Sequence, residues 1–304
     1  MRRRIAVAAS ALAGLPLLAA WLISERMLHP PARAEDHGLE DFDLPAEDVS
    51  FSSRDGTRLA GWFIPARSTP APGVVLCHGW RRSRAELLPH AGFLHRAGYA
   101  VLMFDQRHRG ESDGTAITMG LRERGDALGA LDELCRRPGV DSERIALLGM
   151  SMGAVVSILV AADDQRVRAL VAECPYASVD AIMTRALRHY TRVPIAPIGP
   201  LVKWVVKLRL GASLDTVQAI DAVGRIAPRP LLLIADECDA VVGWQETERL
   251  YHAAGEPKRF WFIAGADHAC GWQAAPQEYE RQVLGFLEEA LATQPVSAAP
   301  EAER

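Results

Sequence analysis

The sequence predicts an α/β fold, a mostly parallel sheet with helices on both faces. Three observations predict it. Two alternating apolar/polar runs flank Asp55-Gly56 in VSFSSRDGTRLAGWFIP (49–65), the signal of an antiparallel hairpin. Short, continuous apolar runs then alternate with helical patterns as far as residue 292. Continuous runs, rather than alternating ones, are what strands covered on both faces require.

The elements follow in order. GVVLCHG (73–79) reads as a buried strand, and residues 83–97 as a helix ended by Gly98. YAVLMFD (99–105) is the next strand, and 119–137 an amphipathic helix stopped by Pro138-Gly139. RIALLGM (144–150) is a strand, Ser151 to Ala162 an apolar helix, and VRALVAECP (167–175) another strand. The rhythm breaks over 176–228, where helical patches surround the proline-rich VPIAPIGP (193–200), and this stretch is expected to form a helical cap outside the sheet. It resumes with RPLLLIAD (229–236), a helix over 244–254, KRFWFIAG (258–265) and a helix over 276–292. One domain is therefore expected over 47–292, with a disordered tail at 293–304.

The N-terminus is of another kind. Arg2, Arg3 and Arg4 precede an uncharged apolar run of 19 residues, Ile5 to Ile23, closed by Glu25 and Arg26. That length is close to a bilayer crossing, and the basic flank favours a cytoplasmic N-terminus. Residues 1–28 are therefore expected to be a signal anchor holding the domain outside the cytoplasm, or a signal peptide removed on export. Gly14, Pro16 and the Ala32-Arg33-Ala34 stretch favour removal. Residues 29–46 read as an acidic, aperiodic linker.

A formal net charge of -4 gives no basic face for nucleic acid. The five cysteines, Cys77, Cys135, Cys174, Cys238 and Cys270, are odd in number and lack CxxC or Cys/His ligand spacing, so no metal is expected. No cofactor is expected either.

In sheets of this kind chemistry gathers past the carboxyl ends of the strands. Ser151 lies there, in GMSMG (149–153). A sharp strand-to-helix turn crowds the positions two before and two after the serine, which explains Gly149 and Gly153. The same turn puts the Met152 N–H at a helix N-terminus, aimed where an oxyanion would form. A serine hydroxyl needs a base. His268 follows the last strand in the loop GADHACG, whereas His90, His95, His189 and His252 fall in helical patterns. An imidazole base needs a carboxylate to hold its tautomer. Asp239 is the candidate, with Asp236 as the alternative in the same loop. Gly79 closes the first parallel strand and allows close backbone approach, so the Trp80 N–H is the expected second oxyanion donor, with His78 bracing that loop by hydrogen bonding.

CHGW (77–80), FDQRHRGESDG (104–114), GMSMG (149–153), ADECDAVV (235–242) and GADH (265–268), in this order, resemble the α/β-hydrolase family. The resemblance runs over residues 47–292 and is nearest to its small-capped serine esterase and aminopeptidase-like branch. It implies an eight-stranded sheet whose first two strands are the 49–65 hairpin, and a structural role for Asp126. Relatives carry glycine where this chain has His108.

The expected reaction is hydrolysis of a carboxylic ester, of an acyl chain or lipid, through Ser151, His268 and Asp239 and an acyl-enzyme. Thioester or peptide cleavage is the alternative, and a non-catalytic binding protein on the same scaffold a further one. The cap mixes apolar residues (Ile195, Ile198, Leu201, Trp204, Val205) with cations such as Arg185, Lys203 and Arg209, which suits an acyl or lipid substrate as well as an ordinary amphipathic helix.

Overall fold

A computed structural model of the chain describes residues 2–191 and 195–292, with side chains described outside 2–13 and 186–197. Eight strands form one sheet: β1 (Glu47–Ser52), β2 (Arg58–Ile64), β3 (Ala71–Cys77), β4 (Ala100–Phe104), β5 (Val140–Met150), β6 (Val167–Glu173), β7 (Leu231–Asp236) and β8 (Lys258–Ile263). Their order across the sheet is β1-β2-β4-β3-β5-β6-β7-β8. β1 and β2 form the hairpin, β2 runs antiparallel to β4, and every pairing from β4 to β8 is parallel.

The helices are α1 (Arg2–Leu28), α2 (Leu88–Arg96), α3 (Glu123–Arg136), α4 (Met152–Asp163), α5 (Val179–Thr191), α6 (Ile195–Leu210), α7 (Ala219–Ala222), α8 (Trp244–Ala253), α9 (Gly271–Ala274) and α10 (Pro276–Leu291). Two cores flank the sheet. On one face α3 and α4 cover Val75, Leu102, Leu147 and Leu170. On the other, α2 and α10 cover Val74, Val101, Leu148 and Val171. The central strands are thus apolar on alternating sides, and β3, β4 and β7 are buried almost throughout. α4 explains the apolar run after Ser151: it is buried along its whole length between Met152 and Ala162, wedged between sheet and cap. Residues 176–228 carry α5, α6 and α7 beside the sheet, and the tail 293–304 lies outside the described residues.

The N-terminal segment departs from expectation. Among the described residues no helix is long and apolar enough to cross a membrane, so the spanning anchor expected of residues 1–28 is not supported. The described part of α1 instead packs on the protein. Ala20, Ser24 and Leu28, spaced four apart on one helical face, are buried, with Ile23 and Met27 partly so. Arg209 of α6 donates to Ser24 Oγ at 2.9 Å and to Glu25 Oε2 at 2.5 Å, and stacks on Trp21. The stretch after it is no free linker either, because its residues hydrogen-bond to the loop after β3.

Candidate active site

Four loops bring the sequence-predicted residues together, each past the carboxyl end of a parallel strand. Ser151 sits between β5 and α4 at φ 53°, ψ −115°. That is strained backbone for a non-glycine residue, and it is held by what surrounds it. Ser151 N donates to Glu173 O at 2.8 Å, and Ser151 O accepts the Val155 N–H at 3.1 Å. The turn is tight enough that a Cβ on Gly149 would overlap the Gly153 carbonyl, and one on Gly153 the Cys77 carbonyl. This is why neither position carries a side chain.

His268, in the loop after β8, has Nε2 2.9 Å from Ser151 Oγ and Nδ1 2.8 Å from Asp239 Oδ2. The other oxygen of Asp239 accepts the Val241 and Val242 amides, each at 2.8 Å. Burial by itself would push this carboxyl up. The hydrogen bond and charge of His268, with the two amides, hold it below the usual aspartate value. An ionised Asp239 therefore faces Nδ1 and directs Nε2 at the hydroxyl. Arg185 of α5 secures the loop from the cap, donating to Asp239 O at 3.0 Å and Ala240 O at 3.3 Å. Its guanidinium occupies the space a side chain at Gly243 would fill.

Asp236, the alternative acid, points elsewhere. It is buried at the end of β7, where its Oδ2 accepts the Cys174 thiol and the Cys270 amide, both at 3.2 Å. Burial raises its carboxyl above the usual value. Glu173 lies in the same buried cluster and is raised well above its usual value for the same reason, while accepting the Tyr279 hydroxyl at 2.5 Å and the Gly271 amide at 3.0 Å. Glu173, Cys174 and Asp236 come close enough to surround an ion. Burial pushes the Cys174 thiol well up as well, which works against the deprotonated forms that bind a metal. Cys174 also approaches Asp239 and His268, which are engaged with one another and with Ser151.

The loop after β3 lies against the serine turn: a Cβ on Gly79 would stand 3.7 Å from Met150 O. His78 is fully buried and burial lowers its pKa, so the ring is neutral. Its Nε2 accepts the Gln106 amide at 2.9 Å, which assigns the proton to Nδ1 and makes that atom the donor to Gly79 O, 2.8 Å away. The Gly79 amide is taken by Glu86 Oε2 at 2.6 Å. The neighbouring Trp80 amide has no acceptor among the described residues. Met152, as the first residue of α4, has an N–H with no acceptor inside its helix.

The wall beyond is the 104–114 loop. Asp105 accepts the Arg84 and Glu111 amides and the Arg84 guanidinium, and Asp126 accepts Arg107 through its backbone amide and the Nε–Nη2 edge of its guanidinium. His108 has φ 61°, the left-handed region where glycine is at ease. Glu86, Arg185 and Glu35 carry no motif. Glu86 falls inside a helical pattern, Arg185 in the cap and Glu35 in the apparent linker, so their roles had no signal in the sequence.

Residues 68–206 match the model of the serine aminopeptidase family, S33. The chain is 31% identical over 250 residues to an uncharacterized protein of Mycobacterium tuberculosis, with 82% of this chain and 81% of that one covered. It is 29% identical over 253 residues to the uncharacterized protein YfhR of Escherichia coli K12, covering 81% and 82% of the two chains. Among solved structures it resembles the Pyrococcus furiosus esterase Pf2001, at a TM-score of 0.72 and 27% identity, covering 87% of this chain and 98% of the esterase. Sequence likeness and shared scaffold agree, and the chain belongs to the α/β-hydrolase family, of the esterase and peptidase type.

Proposed function

We propose that the protein is a serine hydrolase that cleaves a carboxylic ester through Ser151, His268 and Asp239. The observation that carries this reading is the continuous chain from Ser151 Oγ to His268 Nε2 at 2.9 Å and from His268 Nδ1 to Asp239 at 2.8 Å. His268 Nε2 takes the hydroxyl proton as Oγ attacks the carbonyl carbon. The amides of Trp80 and Met152 stabilise the oxygen that becomes negative. On collapse, His268 protonates the departing alkoxide, leaving an acyl group on Ser151. A water then gives its proton to His268 as it attacks the acyl carbon, and His268 returns that proton to Ser151 Oγ as the acyl C–Oγ bond breaks and the acid leaves. The likeness to Pf2001, which is an esterase, favours an ester over a peptide, whereas the S33 family model keeps aminopeptidase action as the alternative. Thioester cleavage uses the same steps with a thiolate leaving.

The purified full chain should label with a fluorophosphonate and hydrolyse p-nitrophenyl esters, with Ser151→Ala losing both. An ester panel beside an acyl thioester and an aminoacyl p-nitroanilide ranks the three leaving groups. A wild-type protein that stays unlabelled, under conditions where a control hydrolase labels, overturns the enzyme reading in favour of a binding protein.

A second reading concerns the partner. Leu15, Leu17, Leu18, Trp21 and Leu22 of α1 and Trp204 and Leu208 of α6 are exposed, seven of the eight large apolar side chains exposed among the described residues. Two touching helices thus expose these apolar side chains, and we propose that they rest on a lipid surface without crossing it. Vesicle binding tests this, as argued below.

A further inference from the structure

We infer that residues 27–35 are a working part of the active site: Glu35, through Arg82, holds Glu86 on the Gly79 amide and so fixes the direction of the Trp80 N–H. This rests on the serine-hydrolase reading, in which that N–H receives the oxyanion.

A donor stabilises a transition state only if it is already aimed when charge develops. The Trp80 N–H belongs to the same planar, trans peptide as the Gly79 carbonyl, so holding one group points the other the opposite way. Gly79 is held at both of its polar groups. Its carbonyl accepts from His78 Nδ1 at 2.8 Å and from the Arg82 amide at 3.3 Å, and its amide donates to Glu86 at 2.6 Å. The Glu86 carboxylate faces Arg82 as an ion pair: Arg82 Nε lies 2.9 Å from Glu86 Oε1 and Nη2 2.8 Å from Glu35 Oε2, close enough for charge pairing though Nε and Glu35 Oε2 are not aligned as hydrogen bonds. All three side chains are largely buried, so these ion pairs are little screened by solvent.

Glu35 is itself fixed, because its Oε1 accepts the Ser83 amide at 2.7 Å and the Ser83 hydroxyl at 2.9 Å. The strapping extends along the whole loop. Trp80 Nε1 donates to Met27 O at 3.2 Å, and Arg81 Nε to Pro31 O at 3.1 Å. The Arg33 amide donates to Arg81 O at 2.9 Å, and Arg82 Nη1 to Ala34 O at 3.3 Å. Four consecutive residues, Trp80 to Ser83, are each tied to residues 27–35, the end of α1 and the start of the stretch that reads as a linker. Glu35 and Glu86 touch no reacting atom. They are positioning residues.

The test uses the full chain with Glu35→Ala and Glu35→Gln. Fluorophosphonate titration counts reactive serines, and kcat and KM for a p-nitrophenyl ester are then expressed per titrated site. Glu35→Ala should lower kcat per site about tenfold, with KM within about twofold, because a misdirected donor weakens the transition state and not the bound ester. Glu35→Gln, which keeps an oxygen for Ser83 but loses the charge facing Arg82, should fall between. Amide exchange read by mass spectrometry should speed up over 78–86 in both. An unchanged kcat per site, with any lost activity explained by fewer titrated sites, overturns the inference while leaving the serine-hydrolase reading intact. A wild-type chain that does not titrate overturns both. Should Glu35→Ala not fold, Glu35→Gln alone decides by the same two readouts.

Discussion

Two aspartates three positions apart show how environment assigns roles to like side chains. Asp239 is held ionised by His268 and two amides, whereas Asp236 is buried beside Cys174 with its carboxyl raised. Asp239→Asn should lower kcat by about 10⁴-fold, since the amide can present its NH₂ to Nδ1 and so select the wrong tautomer. Asp236→Asn changes a buried side chain that bonds to Cys174 and Cys270 and not to His268, and should cost under about tenfold. The reverse ranking would make Asp236 the acid. Glu86 carries the pH dependence. Burial pushes it up to about 7 against the pull of Arg82 and the Gly79 amide, with Glu35 adding to the rise and His268 opposing it. Its folded value thus exceeds the unfolded value of 4.5, so its contribution to stability is complete below pH 4.5 and is lost as pH rises through about 7. The Tm advantage of wild type over Glu86→Gln should therefore shrink between about pH 5 and pH 8. A gap that stays constant over that window contradicts the assignment.

At the scale of elements, the site is made by turns and not by the strands that lead into them. β5 ends in a serine at positive φ, and α4 starts so close to β3 that Gly153 meets the Cys77 and His78 carbonyls. Gly153→Ala should destabilise the protein by more than about 2 kcal/mol, because a methyl group there meets backbone that cannot move away. Thermal unfolding checks it, and a Tm equal to wild type would mean that the turn has slack. The cap contributes through Arg185, which braces the acid loop. Lys203 is committed to Asp180 and Asp215, and Arg209 to Glu25. The cations that in the sequence suit an acyl or lipid substrate are, at these positions, spent on holding the fold.

For the molecule as a whole, the N-terminal segment joins three regions. Its inner face ties α6 through Arg209, the Ile117 amide through Leu28 O, and the loop after β3 through residues 27–35. Its outer face is apolar. The lipid proposal therefore predicts that the full chain floats with phosphatidylcholine–phosphatidylglycerol vesicles, and that Trp21→Ser with Leu18→Ser and Trp204→Ser lowers the bound fraction about tenfold while ester hydrolysis in solution is kept. Equal flotation of the two proteins would remove the α1–α6 face as the contact.

Much of this protein is written locally. The strand runs and helix patterns from 47 to 292 follow from which faces the fold buries, continuous in the central strands and alternating in the hairpin, and each has its counterpart in β1 to β8 and the helices around them. Gly149, Ser151 and Gly153 are likewise legible, because a tight turn restricts residue size at fixed spacing. What the chain order could not decide was which groups meet across long separations. Asp239 rather than Asp236 faces His268, Glu35 reaches Ser83 and Arg82, and Glu86 reaches back to Gly79. The apolar N-terminal run shows the limit most plainly. Composition makes it look like a bilayer span, yet in the folded chain its described part buries Ala20 against the protein and leaves Leu15, Leu17, Leu18, Trp21 and Leu22 exposed. Hydrophobicity records only that a surface leaves water; tertiary contact decides what covers it.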